Sequence, residues 1–279
     1  MCWLAWVSRA GYYRAWHDDE PDGEEMDLRH RIQNIAIEHR YYGYRRITAE
    51  LRRQGRPVNH KRVSRLMGLD NLLAVRRLRF RPPTTDSKHS LRVYLNLAAR
   101  LELSGPDQLW IADITYIRLR GEFVYLAVVL DAWSRKVIGW QLSRSLQSAV
   151  AVEALRKAME GRRPPAGLVH HSDRGVQYAS DDYIGLLGEH GILPSMSRAR
   201  TPWDNAACES FMKTLKAEQI NGVEYATMED LQRDMEAFLD DYYNKRRLHS
   251  SLKYLPPEEF ELHNASKVHK AAVIEFSEA

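Results

Sequence analysis

The sequence predicts an α/β fold, a mixed five-stranded sheet flanked by helices, preceded by an all-α helix-turn-helix module. Helical spacing governs the front of the chain, β-branched and aromatic runs take over after Gly105-Pro106, and the charge divides at about the same place. Residues 28–92 hold 17 Lys and Arg against 4 Asp and Glu, whereas residues 101–279 hold 21 against 26. Such a basic front half is the electrostatic footprint expected for a polyanion such as nucleic acid, although an Arg-rich solvated helical face has the same composition.

With 279 residues and 44% hydrophobic content the chain can bury a substantial core. No stretch of about 18 uncharged apolar residues marks a membrane span, and the apolar start Met1 to Val7 has its arginines after it, unlike a secretory signal. Cys2 and Cys208 are the only cysteines, which leaves neither a disulfide framework nor a cysteine zinc site. A reducing cytoplasm fits this composition.

Residues 1–27 read as a leader whose acidic run, Asp18 to Asp27, is broken by Pro21 and Gly23 and behaves as a linker. Ile32, Ile35 and Ala36 begin a helical period that stops near Tyr41-Tyr42-Gly43. Ile47 and Leu51 place a second helix from about Arg45 to Gln54, which Gly55-Arg56-Pro57 breaks. Asn59 is an N-cap candidate for a third helix with Val63, Leu66 and Met67 inside and His60, Lys61, Arg62 and Arg65 outside. A tight turn before the most cationic of three short helices is the helix-turn-helix arrangement, in which the last helix enters the DNA major groove. This assigns residues 28–81 to a DNA-binding domain that ends in the basic arm 76–81, with 82–104 as linker. A small helical bundle without a DNA role is the competing reading.

From 105 onward, Leu109 to Ile117, Phe123 to Leu130 and Val137 to Leu142 read as three strands joined by hairpins. A helix from Ser148 to Met159 follows, then a strand opening at Gly167-Leu168-Val169, a helix from Ser180 to His190, a segment through Ile192-Leu193-Pro194 and a further helix. The order βββαβα points to a mixed sheet with helices against it.

Three acids stand out. Asp113 interrupts an apolar strand, where a charge is costly unless it is paired or binds a cation; the solvent face of an edge strand would accommodate it too. Asp173 follows the short run Val169-His170-His171-Ser172 and precedes Arg174-Gly175, which reads as a strand delivering a carboxylate to a loop, or as an ordinary turn Asp. Glu209 falls in the second turn of a helix capped by Asp204 or Asn205, with Lys213 and Lys216 one and two turns on, and a simple surface pair with Lys213 is equally compatible. Carboxylates from two strands and a helix suit hard divalent cations, and two such ions about 3.5–4 Å apart can drive phosphodiester chemistry. His170 and His171 do not make a zinc site, because neighbouring strand residues face opposite sides and no second cluster has zinc spacing. Cys208 reads as a small buried residue, and Tyr242, Tyr243, Lys245, Arg246 and Arg247 suit DNA contacts or a solvated helix end.

Four patterns in this order resemble the second-frame (OrfB) transposases of the IS3 group of bacterial insertion sequences. They are Trp110-x-x-Asp113-Ile-Thr-Tyr116; His171-Ser-Asp173-Arg-Gly175; Asp204-Asn205-Ala206-x-x-Glu209-Ser-Phe211 with Leu215-Lys216-x-Glu218; and Tyr243-Asn244-x-x-Arg247-x-His249-x-x-Leu252-x-Tyr254-x-Pro256. The resemblance covers roughly residues 8–262. It implies that residues 105–262 form a retroviral-integrase-like core of ribonuclease-H-like fold, with 263–279 a tail. It also places Asp113, Asp173 and Glu209 on the catalytic, metal-binding acids, the last two separated by the family's 35 intervening residues. The implied reaction is cleavage of the element ends followed by strand transfer of the freed 3′-hydroxyl, using two Mg²⁺ ions or Mn²⁺ in their place.

Gly175 and Asn205 fall on positions implied to orient the site, and Lys216 on one implied to touch DNA. With Lys61, Arg62, Arg65, Lys213, Arg246 and Arg247 it completes the expected DNA-contact set. The implied partners are DNA, the first-frame OrfA product or its fusion, and further copies of the chain on DNA, in a bacterial cytoplasm near the nucleoid. Trp6 to Tyr13 resembles a segment lying just inside the frame of relatives, which implies a shortened start. A nuclease of the same fold, or an end-binding regulator inactive without its first-frame partner, are the alternative readings.

Overall fold

A computed structural model describes residues 23–72, 92–198 and 201–265. The expectations for residues 1–22, the basic arm 76–81, the linker up to 91 and the tail from 266 lie outside the described residues. The chain divides into two compact units, residues 1–75 and 76–279.

The first unit holds α1 (Gly23–Glu38), α2 (Tyr44–Arg53) and α3 (His60–Leu69). Ile32, Ile35, Ile47, Leu51, Val63 and Leu66 are buried, so the apolar spacing read from the sequence is the core face. The Asn59 side chain accepts a hydrogen bond from the Lys61 backbone N–H at 2.9 Å and caps α3. Gly55, at a φ of 74°, supplies the left-handed turn before it. The acidic run is not a linker throughout, since Gly23 to Asp27 form the first turns of α1. Glu24 and Glu25 favour the positive end of the helix dipole, and Asp27 pairs with Arg31 one turn on at 2.9 Å. Glu25 reaches Arg65 at 3.1 Å and Arg62 at 3.6 Å.

The second unit is built on a five-stranded sheet in the order β3-β2-β1-β4-β5. Its strands are β1 (Leu109–Arg118), β2 (Phe123–Asp131), β3 (Val137–Ser143), β4 (Val169–Ser172) and β5 (Leu193–Met196). The first three run antiparallel, and β4 and β5 add on parallel to β1. The opening strand lies two residues later than Gly167-Leu168-Val169 suggests. Gly167 takes a φ of 91° and makes the turn, so the two histidines become the strand and Asp173 its first residue beyond. Pro194 sits within β5, which an edge strand tolerates because one row of its N–H groups has no partner strand.

Alternation along β1 sends Leu109, Ile111 and Ile117 into one apolar layer and Trp110 and Ala112 into the other. The layer shared with Trp110 is closed by α4 (Ser148–Arg162) and α5 (Asp181–Glu189). The layer shared with Ile111 is closed by α6 (Ala206–Leu215) and α7 (Met228–Glu236), which runs on into a wide π-turn at Ala237–Tyr243. Gly139 on β3 meets α4 so closely that a Cβ there would overlap the Ala154 carbonyl oxygen and come within 2.8 Å of the Ala158 nitrogen.

Candidate active site

Sheet register brings the first two acids together. Ile111 pairs with His171, so two residues farther along parallel strands Asp113 lies alongside Asp173, although 59 residues intervene in the chain. Adjacent strands run about 4.8 Å apart, which places the two carboxylates side by side where β4 ends against the middle of β1. Asp113 is half-buried, and its own Oδ1 accepts the Ile114 N–H at 2.9 Å. Asp173 Oδ1 accepts the Gly175 N–H at 2.8 Å. A Cβ on residue 175 would stand 2.9 Å from that same oxygen, so any larger residue there would have to displace the Asp173 carboxylate. Both acids line a cavity of about 200 Å³ with Tyr116, Tyr125, Gln177 and Tyr178.

Glu209, the fourth residue of α6, adds the third charge. It pairs with Lys213 at 3.2 Å, so the surface pair weighed from the sequence is present. Its helix is held beside Asp113 by Asn205, whose side-chain amide donates to the Ala112 carbonyl at 3.3 Å. Asn205 thus reaches the strand instead of capping α6 with its side chain. Arg198 grips the neighbouring Asp204 at 3.0 Å and holds its carboxyl down at about 2.

Burial, with the nearby Asp173 and Glu209 charges, pushes the Asp113 carboxyl up to about 7. The Lys216 ammonium sits 5.0 Å from the centre of the Tyr116 ring; burial lowers its pKa, against the opposing pull of Asp113. Among the described residues no three His, Cys, Asp or Glu side chains close around a common point, although the Asp173 and Glu209 charges reach Asp113.

The remaining expected residues separate clearly. Lys61, Arg62, Arg65, Lys213 and Arg246 are exposed. Arg247 is not a surface cation: it is buried against Glu218, at 2.9 Å from Nε and 2.6 Å from Nη2. Tyr243 is likewise buried, edge-on to Phe211 at 5.0 Å. His171 shares its ring nitrogens with the hydroxyls of Ser195 at 2.8 Å and Ser197 at 3.0 Å, and His170 meets the Tyr183 hydroxyl at 3.0 Å. Burial lowers the pKa of both rings, that of His170 to about 3. Cys208 is fully buried behind Glu209. Sequence reading missed Tyr125 and Tyr178; Tyr125 faces Tyr116 only through strand register, and Tyr178 enters only through the turn after Gly175.

Comparison with known proteins gives the chain's relatives. The family profile described as Integrase core domain matches residues 104–202, a second profile of that description matches 190–257, and HTH-like domain matches 24–80. Transposase InsF for insertion sequence IS3A of Escherichia coli strain K12 is 36% identical over 270 residues, covering 95% of this chain and 93% of that protein. The transposase for insertion sequence element IS904 of Lactococcus lactis is 36% identical over 244 residues, covering 87% and 96%. A solved chain from the simian T-cell lymphotropic virus intasome in complex with a PP2A regulatory subunit aligns at a TM-score of 0.49 and 14% identity, covering 83% of this chain and 74% of that one. The HTLV-2 integrase catalytic core in complex with magnesium aligns at 0.44 and 14%, covering 57% and 98%.

Proposed function

This chain belongs to the IS3 family of insertion-sequence transposases, DNA enzymes with an integrase-type catalytic core, and from that premise we propose that Asp113, Asp173 and Glu209 are its catalytic, metal-binding acids. The observation that carries the assignment is the parallel register that sets Asp113 beside Asp173, with Glu209 close enough to raise the same carboxyl. That accumulated negative charge also fits a divalent cation, since hard carboxylate oxygens favour Mg²⁺ or Mn²⁺. Two such ions, when bound, would activate the attacking oxygen and offset charge on the leaving one.

In this reading the protein's own groups position the reactants. The Gly175 N–H fixes one Asp173 oxygen, Asn205 anchors the start of the Glu209 helix, and Lys216 offsets phosphate charge next to Asp113. A water oxygen attacks the end phosphodiester and the 3′-oxygen departs; the freed 3′-hydroxyl then attacks a target phosphodiester and another 3′-oxygen departs. Residues 28–81 supply end binding through Lys61, Arg62 and Arg65, and residues 105–262 supply the chemistry, with Lys213 and Arg246 as further DNA contacts. The OrfA product or fusion, multimers on DNA and a nucleoid location complete the proposal.

Asp113→Asn, Asp173→Asn and Glu209→Gln should each lower Mg²⁺-dependent end cleavage and strand transfer by roughly a thousand-fold or more while preserving end binding. Full transfer by any one of them would overturn the triad. Pre-nicked ends separate this reading from a nuclease, because only a transposase yields joined products.

A further inference from the structure

We infer that Arg247 is a positioning residue for strand transfer, gripping the back of the helix whose front carries Glu209 and Lys216. This rests on the assignment of Glu209 to the active site. Seven residues make nearly two α-helical turns, so Glu209 and Lys216 share one face of α6 and its continuation. Thr214 and Glu218 are one turn apart on roughly the opposite face. Arg247 meets both: two of its nitrogens hold the two Glu218 oxygens, and Nη2 stands 3.5 Å from Thr214 Oγ1. The Arg247 and Glu218 side chains are only 4% and 5% exposed.

The local backbone makes this grip consequential. At Lys216 the α-helix widens into a π-turn, Lys216–Ile220, a form that is rare and concentrates at functional sites. Glu218 lies in that turn, so the ion pair fixes the geometry of the segment that aims Lys216. Arg247 is itself placed by a second anchor. Asn244, three residues before it, pairs with both backbone polar groups of Val137 on strand β3, accepting from its N–H and donating to its carbonyl at 2.9 Å each. The sheet's outer strand is thereby connected through Asn244, Arg247 and Glu218 to the helix that bears the third acid. Arg247, expected to contact DNA, thus contributes with Asn244 to an internal brace.

Removing one partner of a buried pair strands the other charge, whereas replacing both with apolar residues of similar size is often neutral for stability. The test therefore uses the full chain carrying Glu218→Leu with Arg247→Met, alongside Arg247→Lys, which retains the charge but loses the two-pronged grip. Strand transfer of pre-cleaved ends, the Mg²⁺ concentration for half-maximal transfer, end binding and thermal melting are measured together. The expected result is transfer reduced roughly a hundred-fold per folded molecule, as for an ångström-scale misplacement, with half-maximal Mg²⁺ shifted upward and end binding retained. Wild-type transfer and Mg²⁺ dependence in the double variant would overturn the inference, as would activity that only follows the folded fraction. Glu209→Gln in parallel separates the two claims: if it remains active, the fault lies with the acid assignment.

Discussion

Asp113 concentrates the residue-scale chemistry, because its folded carboxyl titrates near 7 while an unfolded one would titrate near 3.8. Between those values the folded protein binds more protons than the unfolded one, so without divalent cation its stability should fall as pH rises from about 4 to about 7. Thermal melts in chelator across that range should show a decline that Asp113→Asn removes, on the order of several degrees. A decline of equal size in the Asn variant would refute the role of this carboxyl. Mg²⁺ should restore more stability as pH rises to 7 and above, because binding then displaces fewer protons from this carboxyl.

Single residues differ in how openly the sequence declares them. Asp113 stands out because a charge in an apolar strand demands a cause. At Gly175 the sequence indicated a residue that orients the site, whereas the carboxylate oxygen 2.9 Å from where its Cβ would be is visible only in the coordinates. Arg247 misled, since cations mixed with tyrosines resemble a DNA surface until Glu218, 29 residues earlier, is found beside the guanidinium.

At the scale of elements, the close seat of α4 on β3 is the sharpest constraint. Gly139 has backbone atoms of Ala154 and Ala158 where a side chain would go, and Ala151, Ala154 and Ala158 keep the facing helix surface thin. Gly139→Ala must push the helix off the sheet, and overpacking of this kind costs about 1–3 kcal/mol. A melting temperature lowered by roughly 2–10 °C is expected, and an unchanged one would show that α4 can slide without loss. Element boundaries were readable where a local signal marks them: Asn59 capping α3, the apolar period of α1 and α2, the β-branched run of β1. They slipped where tertiary pairing decides. The acids of α1 looked like a broken linker because several of their arginine partners, Arg56, Arg62 and Arg65, lie beyond α1, and β4 was displaced because Gly167 turns before the strand begins. Sheet order was beyond the sequence, because the β1 to β4 pairing that joins the two aspartates crosses a helix and two strands.

Across the whole molecule, a net charge of only +4 conceals a front region with 17 cations against 4 acids. Part of that cationic surface already has acidic company, since Glu25 pairs with both Arg62 and Arg65. DNA phosphates must compete with this carboxylate, so the number of counterions released on binding should be smaller than the count of exposed cations suggests. Replacing Lys61, Arg62 and Arg65 together with Ala should make the slope of log affinity against log salt shallower by between about one and three. Glu25→Gln should act in the opposite sense, tightening end binding because the two arginines no longer have an internal partner. Anisotropy titrations of labelled end DNA over a salt series would read both effects. A triple variant with the wild-type slope would remove α3 from the DNA surface, and weaker binding by Glu25→Gln would mean that the carboxylate orients the arginines for phosphate instead of competing with it.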